Sequence, residues 1–118
     1  MPVTGIGGLF FRANNPDALQ HWYRDHLGVV FEQNTPWNQE AGPTVFMPFA
    51  ADTDYFPMDK QWMINFRVSE LDQLVSQLRL ADVAVETDPI WDTPETGRFA
   101  HLSDPEGNRI ELWEPPLA

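Results

Sequence analysis

Apolar and polar positions change period several times along the chain, and each change marks an element. The apolar-rich stretch from about Ile6 to Ala13 predicts a strand. Leu19, Trp22, Tyr23 and Leu27 then recur at helical spacing and predict a core-facing helix. Asn15 is suited to the N-cap, Pro16 to the first helical position and Gly28 to the C-terminal stop. Strands are expected at Val29–Gln33 and Thr44–Phe49, with a third candidate at Asp54–Phe56. Trp37 to Pro43 reads as loop, and Pro57 to Lys60 as a link.

The same order begins again after the link. Trp62 to Val68 predicts a strand. Leu71, Leu74, Val75 and Leu78 form a helical stripe, and Ser69 with Asp72 reads as a capping box at its start. Strands are expected at Val83–Glu86, Arg98–Ser103 and Arg109–Trp113. The repetition reaches single residues. Phe11, Arg12, Asp17 and Leu19 align with Phe66, Arg67, Asp72 and Leu74 at a 55-residue offset. The pattern is a duplicated unit of strand, helix and strands within one domain over residues 1–118. Module one covers about 1–58 and module two about 59–118.

Asp104-Pro105-Glu106-Gly107-Asn108 is a dense run of turn residues between two alternating segments, so it closes a hairpin. Alternation puts Ala100, Leu102, Ile110 and Leu112 toward the helices. Pairing Ser103 with Arg109 sets His101 opposite Glu111 and Phe99 opposite Trp113 on the other face. Such a mixture of aromatic and polar groups suits either a concave ligand surface or an open sheet face with a cross-strand ion pair. In the first strand of each module, Leu9, Phe11 and Ala13, and likewise Ile64, Phe66 and Val68, point to the helix side. Phe10 and Arg12, and likewise Met63, Asn65 and Arg67, point opposite. Arg12 and Arg67 thus become equivalent positions, suited to holding an oxyanion or to balancing charge.

Composition narrows the classes. At 118 residues and 42% hydrophobic content the chain can build one core. A net charge of −11 argues against nucleic acid and anionic membrane surfaces, and favours either plain solubility or a cationic ligand. No apolar run is long enough to span a bilayer. The absence of cysteine removes thiolate metal sites and cysteine nucleophiles. With no basic-then-apolar leader at Met1–Gly5, a cytoplasmic location is expected. Gly-x-Ser-x-Gly and phosphate-binding glycine loops are absent.

Three features together resemble the vicinal-oxygen-chelate superfamily of glyoxalases, extradiol dioxygenases, fosfomycin-resistance enzymes and bleomycin-resistance proteins. They are the duplicated unit, the segment Trp22-Tyr23-Arg24-Asp25-His26-Leu27-Gly28 and the terminal hairpin Ser103 to Leu112. The resemblance implies an α+β fold: two tandem βαβββ modules form a curved mixed sheet around a cup, with helices on the outer face. It also implies a homodimer. Metal-using relatives draw ligands from four strand positions. Carried over, these fall on Glu111, near Gly8, on Met63, and on Met47, Tyr55 or Phe56 according to how strands are counted. Glycine offers no ligand and methionine suits such ions poorly. Glu111 remains, with His101 as a substitute partner, so the expectation is no cofactor, a divalent metal being the less favoured alternative.

Three functions stay open. The first is a metal-free small-molecule-binding protein of the bleomycin-resistance kind, its ligand held by Phe10, Arg12, Met63, Asn65, Arg67, Phe99, Arg109 and Trp113. The second is a metal-dependent lyase, isomerase or dioxygenase resembling lactoylglutathione lyase, with Glu111 and His101 as catalytic groups. The third is a non-catalytic interaction module.

Overall fold

A computed structural model describes residues 2–117. Its regular elements are α1 (Pro16–Leu27), β1 (Ile64–Arg67), α2 (Leu71–Leu80), a short 3₁₀ turn (Pro89–Trp91), β2 (Arg98–Ser103) and β3 (Arg109–Glu114). The three strands form one mixed sheet in the order β1-β3-β2, with β1 parallel and β2 antiparallel to β3. The fold is α+β with an open sheet.

The helices follow their sequence signals unevenly. In α1 the Asn15 side chain accepts from the Ala18 N–H, and Gly28 closes the far end at φ 69°. There the Gly28 N–H bonds Arg24 O and the Val29 N–H bonds Tyr23 O, an αL ending that needs the left-handed conformation glycine tolerates. The expected Ser69–Asp72 capping box does not form. Glu70 is the N-cap, at φ 52°, and makes no side-chain cap. Its N–H is taken by Glu114 at 3.0 Å, while Asp72 turns to Arg98 at 2.6 Å. Cross-chain partners therefore replace the local cap.

The core lies between this sheet and the helices. Leu71, Val75 and Leu78 of α2 and Leu19 and Tyr23 of α1 are buried with Ala100, Leu102, Ile110 and Leu112. Each buried leucine or isoleucine contributes about 1.5–3 kcal/mol relative to exposure. Hairpin alternation thus fixes the core face as the sequence implies, and the pairing register is Ser103 with Arg109, His101 with Glu111 and Phe99 with Trp113.

The expected strands of module one are not formed. Residues 6–13, 44–49 and 54–56 carry no ladder, and Val29–Gln33 contributes only a bridge between Glu32 and Thr35. Val83–Glu86 is reduced to one bridge, from Glu86 to His101. Local chemistry accounts for part of this. Gly7 and Gly8 weaken the first segment as a strand. Pro48 removes a donor from within 44–49, and Pro43 removes one just before it. Gln33 and Asn34, at φ 50° and 61°, turn the chain at the end of Val29–Gln33. The side chains of these segments stay largely open: Phe10 is 95% exposed and Phe46 90%.

Candidate functional site

The sheet face opposite the core carries a closed group of polar side chains. β3 places Glu111, β2 places His101 beside it and β1 places Asn65 on the other side, since Asn65 and His101 are both register partners of Glu111. The Asn65 amide donates to Glu111 Oε1 at 2.7 Å. His101 Nε2 lies 2.8 Å from Glu111 Oε2, and the Tyr55 hydroxyl donates to the same oxygen at 2.5 Å. An ionised carboxylate only accepts, so His101 Nε2 carries the hydrogen it shares with Glu111. Tyr55 Oη also stands 3.3 Å from that nitrogen.

Two aromatic rings cover the group. Trp91, on the 3₁₀ turn, stacks on the His101 imidazole at 4.5 Å and 29°. Tyr55 meets the same imidazole edge-on at 5.3 Å, and Phe49 packs on Tyr55 at 5.5 Å. His101 and Glu111 are consequently only 4% and 7% exposed. Burial pushes the Glu111 carboxyl up, but hydrogen bonds from His101, Tyr55 and Asn65 outweigh it and hold the group below its usual range. Burial, followed by the bond to Glu111, pushes the Tyr55 phenol well up.

The other expected site residues divide. Phe99 and Trp113 face each other on β2 and β3, and the Trp113 indole donates to Thr96 O. Arg109 pairs with Glu86 at 3.1 Å. Met63 is half-buried, immediately before β1. The two arginines do not act as an equivalent pair. Arg67 is spent on chain carbonyls, donating to Pro43 O at 2.6 Å and Glu40 O at 2.5 Å. Gly42 permits that clamp, because a Cβ there would fall 2.7 Å from the guanidinium carbon. Arg12 lines a separate groove of about 330 Å³ with Phe10, Lys60 and Trp62. Trp91 was missing from the sequence-derived site. Its signal was present in Asp88-Pro89: the Asp88 side chain caps Ile90 and Pro89 opens the turn.

As a metal site the donor set is thin. Among the described residues no three His, Cys, Asp or Glu side chains gather closely enough to hold an ion. Glu111 and His101 supply two ordinary ligands, and the phenol of Tyr55 resists ionisation. On its own this chain offers fewer ligands there than a resident divalent ion takes. What the arrangement offers is a carboxylate acceptor, an imidazole donor and flat apolar walls.

Residues 5–112 match the family model described as the Glyoxalase/Bleomycin resistance protein/Dioxygenase superfamily. The chain belongs to this superfamily. By structure, this superfamily member is similar to TnmS3, described as an antibiotic binding protein from Streptomyces sp. CB03234. The two share 23% identity over 98% of each chain, with a TM-score of 0.59, a likeness of fold. Among curated proteins none matches the sequence.

Proposed function

We propose that this superfamily member binds an aromatic small molecule on the Glu111 face, without a resident metal and without converting its ligand. The carrying observation is the composition of that face. One carboxylate, one imidazole and one amide are mutually satisfied beneath the rings of Trp91 and Tyr55. Flat apolar walls with a few oriented polar groups are the usual make-up of a small-molecule site. The antibiotic-binding description of TnmS3 supports the same role. The net charge of −11 disfavours an anionic ligand and suits a neutral or cationic one.

Tryptophan fluorescence reads this role, because Trp91 sits on the site. Titration with a panel of aromatic antibiotics is expected to give saturable quenching by at least one member, which Trp91→Phe diminishes. Mass spectrometry should return that ligand unchanged after prolonged incubation. Conversion of the ligand by metal-stripped protein would count against a pure binding role. Stoichiometric metal in protein grown with added divalent ions would count against the metal-free site.

Self-association belongs to the same proposal. Phe10, Val45, Phe46 and Met58 are all more than 60% exposed, and monomers rarely leave so much apolar surface to water. A second copy covering these segments accounts for them. Light scattering should report twice the 13.5 kDa chain mass. A monomer at high micromolar concentration would refute it.

A further inference from the structure

We infer that the ligand class of the Glu111 site is a neutral hydroxylated arene, a phenol or naphthol, and that Tyr55 occupies the position of the ligand's hydroxyl. The inference rests on the binding role proposed above and specifies its chemistry.

Tyr55 is itself a phenol docked in the site. Its hydroxyl donates to Glu111 Oε2 at 2.5 Å and lies 3.3 Å from His101 Nε2, while its ring stands edge-on to the imidazole. The site is thus complementary to an aromatic ring bearing one hydroxyl. That hydroxyl must donate to a carboxylate and can accept from the imidazole N–H. Tyr55 is held through its side chain rather than its backbone. It belongs to no helix or strand, the residue is 40% exposed, and its backbone N–H bonds the Thr53 hydroxyl two residues away. Its removal would leave Asn65, His101 and Trp91 in place, because these are fixed by β1, β2 and the 3₁₀ turn.

Electrostatics exclude the neighbouring classes. A carboxylate or phosphate would meet Glu111 with no free guanidinium beside it among the described residues, since Arg109 is paired with Glu86 and Arg67 is bound to carbonyls. A ring without a donor would leave Glu111 Oε2 short of a hydrogen bond that Tyr55 supplies, a loss of about tenfold or more in affinity. An aliphatic alcohol would satisfy the oxygen but forgo the contacts that His101 and Trp91 make with a flat ring.

The test compares 2-naphthol with 2-methoxynaphthalene, which keeps the rings and loses the donor, by calorimetric titration of the full chain. Wild type is expected to prefer 2-naphthol about tenfold or more. Tyr55→Phe should bind 2-naphthol several-fold more tightly, because the internal competitor for Glu111 has lost its hydroxyl. Glu111→Gln, which keeps the shape, should shrink the preference toward one. Equal binding of both probes, unchanged in Tyr55→Phe, would overturn the hydroxyl assignment while leaving aromatic binding intact. Failure of both probes in wild type and Tyr55→Phe also overturns it. The antibiotic panel then decides separately whether the wider binding role survives.

Discussion

The Tyr23 hydroxyl donates to Asp104 Oδ2 at 2.6 Å, tying the middle of α1 to the loop of the β2–β3 hairpin. Asp104 is buried and accepts three further bonds, from the N–H groups of Glu106 and Asn108 and from the Asn108 side chain. Two residues on, the Glu106 carboxylate accepts from the Asn14 and Asn15 N–H groups at the start of α1. The hairpin loop therefore serves as the receptor for α1, and Asp104 is its centre.

Removing the two partners should have unequal effects. Tyr23→Phe leaves Asp104 with three donors and is expected to cost about 1–2 kcal/mol. Asp104→Ala strands several donors at once and should cost about 3 kcal/mol or more. Chemical denaturation of both variants checks this. Equal losses would mean that the Tyr23 bond, rather than the loop, carries the stability.

Alkaline titration should behave unusually, because the chain has only two tyrosines and both phenols donate to carboxylates. Burial first, then Asp104, raises Tyr23 far above the ordinary value, and burial first, then Glu111, does the same for Tyr55. An unfolded tyrosine ionises near pH ~10. The folded values are raised, so this stabilisation is complete below about pH 10 and is lost as pH rises toward them. Tyrosinate absorbance should therefore be displaced well above pH ~10, and the part due to the buried Tyr23 should appear only together with unfolding. A step near pH ~10 with circular dichroism unchanged would contradict the geometry.

Much of the C-terminal half was legible because its signals are local. Alternation around the Asp104–Asn108 turn fixed which face of the hairpin is buried and set His101 against Glu111. Asn65 followed from the same alternation on β1. The N-terminal half was less legible. Its apolar segments read as strands, but an apolar run does not supply a partner, and Pro43, Pro48 and the early glycines weaken the ladders it would need. The arginines misled for a related reason. Register placed Arg12 and Arg67 on equivalent faces, whereas the side chain of Arg67 answers to the carbonyls of a loop whose path no periodicity encodes. Tyr55 entered only as one option among three, since its place depends on how an irregular segment folds back over the sheet.

Gly97 offers a steric test of the 93–97 turn that leads into β2. It sits at φ +102°, bridged to Thr93, and a Cβ there would lie 2.2 Å from Glu114 O and 3.1 Å from Trp113 Nε1. The first neighbour is backbone and cannot yield cheaply. Gly97→Ala is expected to destabilise by about 2 kcal/mol or more, from the left-handed strain and the clash together. Thermal denaturation should show the midpoint falling by several degrees. A midpoint unchanged within error would mean that the 93–97 turn opens freely.

Glu111 makes the same site readable in acid. Burial raises its pKa, yet three hydrogen bonds to the ionised form bring it below the ordinary carboxylate value. In the unfolded chain the group titrates near pH ~4.3. A depressed folded value means that the carboxylate's stabilisation is complete above about pH 4.3, and is lost as pH falls through the lower folded pKa. Protonation there places a donor against the Tyr55 hydroxyl and the His101 N–H, so their bonds to the carboxylate are weakened. Glu111→Gln abolishes this titration while keeping the volume. It is expected to cost about 1–3 kcal/mol at neutral pH, because one amide oxygen cannot serve all three donors. It should also flatten the fall in stability below about pH 4.3, where the unfolded chain takes up the proton that the native carboxylate resists. Parallel denaturation curves of the two proteins across that range, equally steep in pH, would show that Glu111 is not the group whose charge the fold depends on.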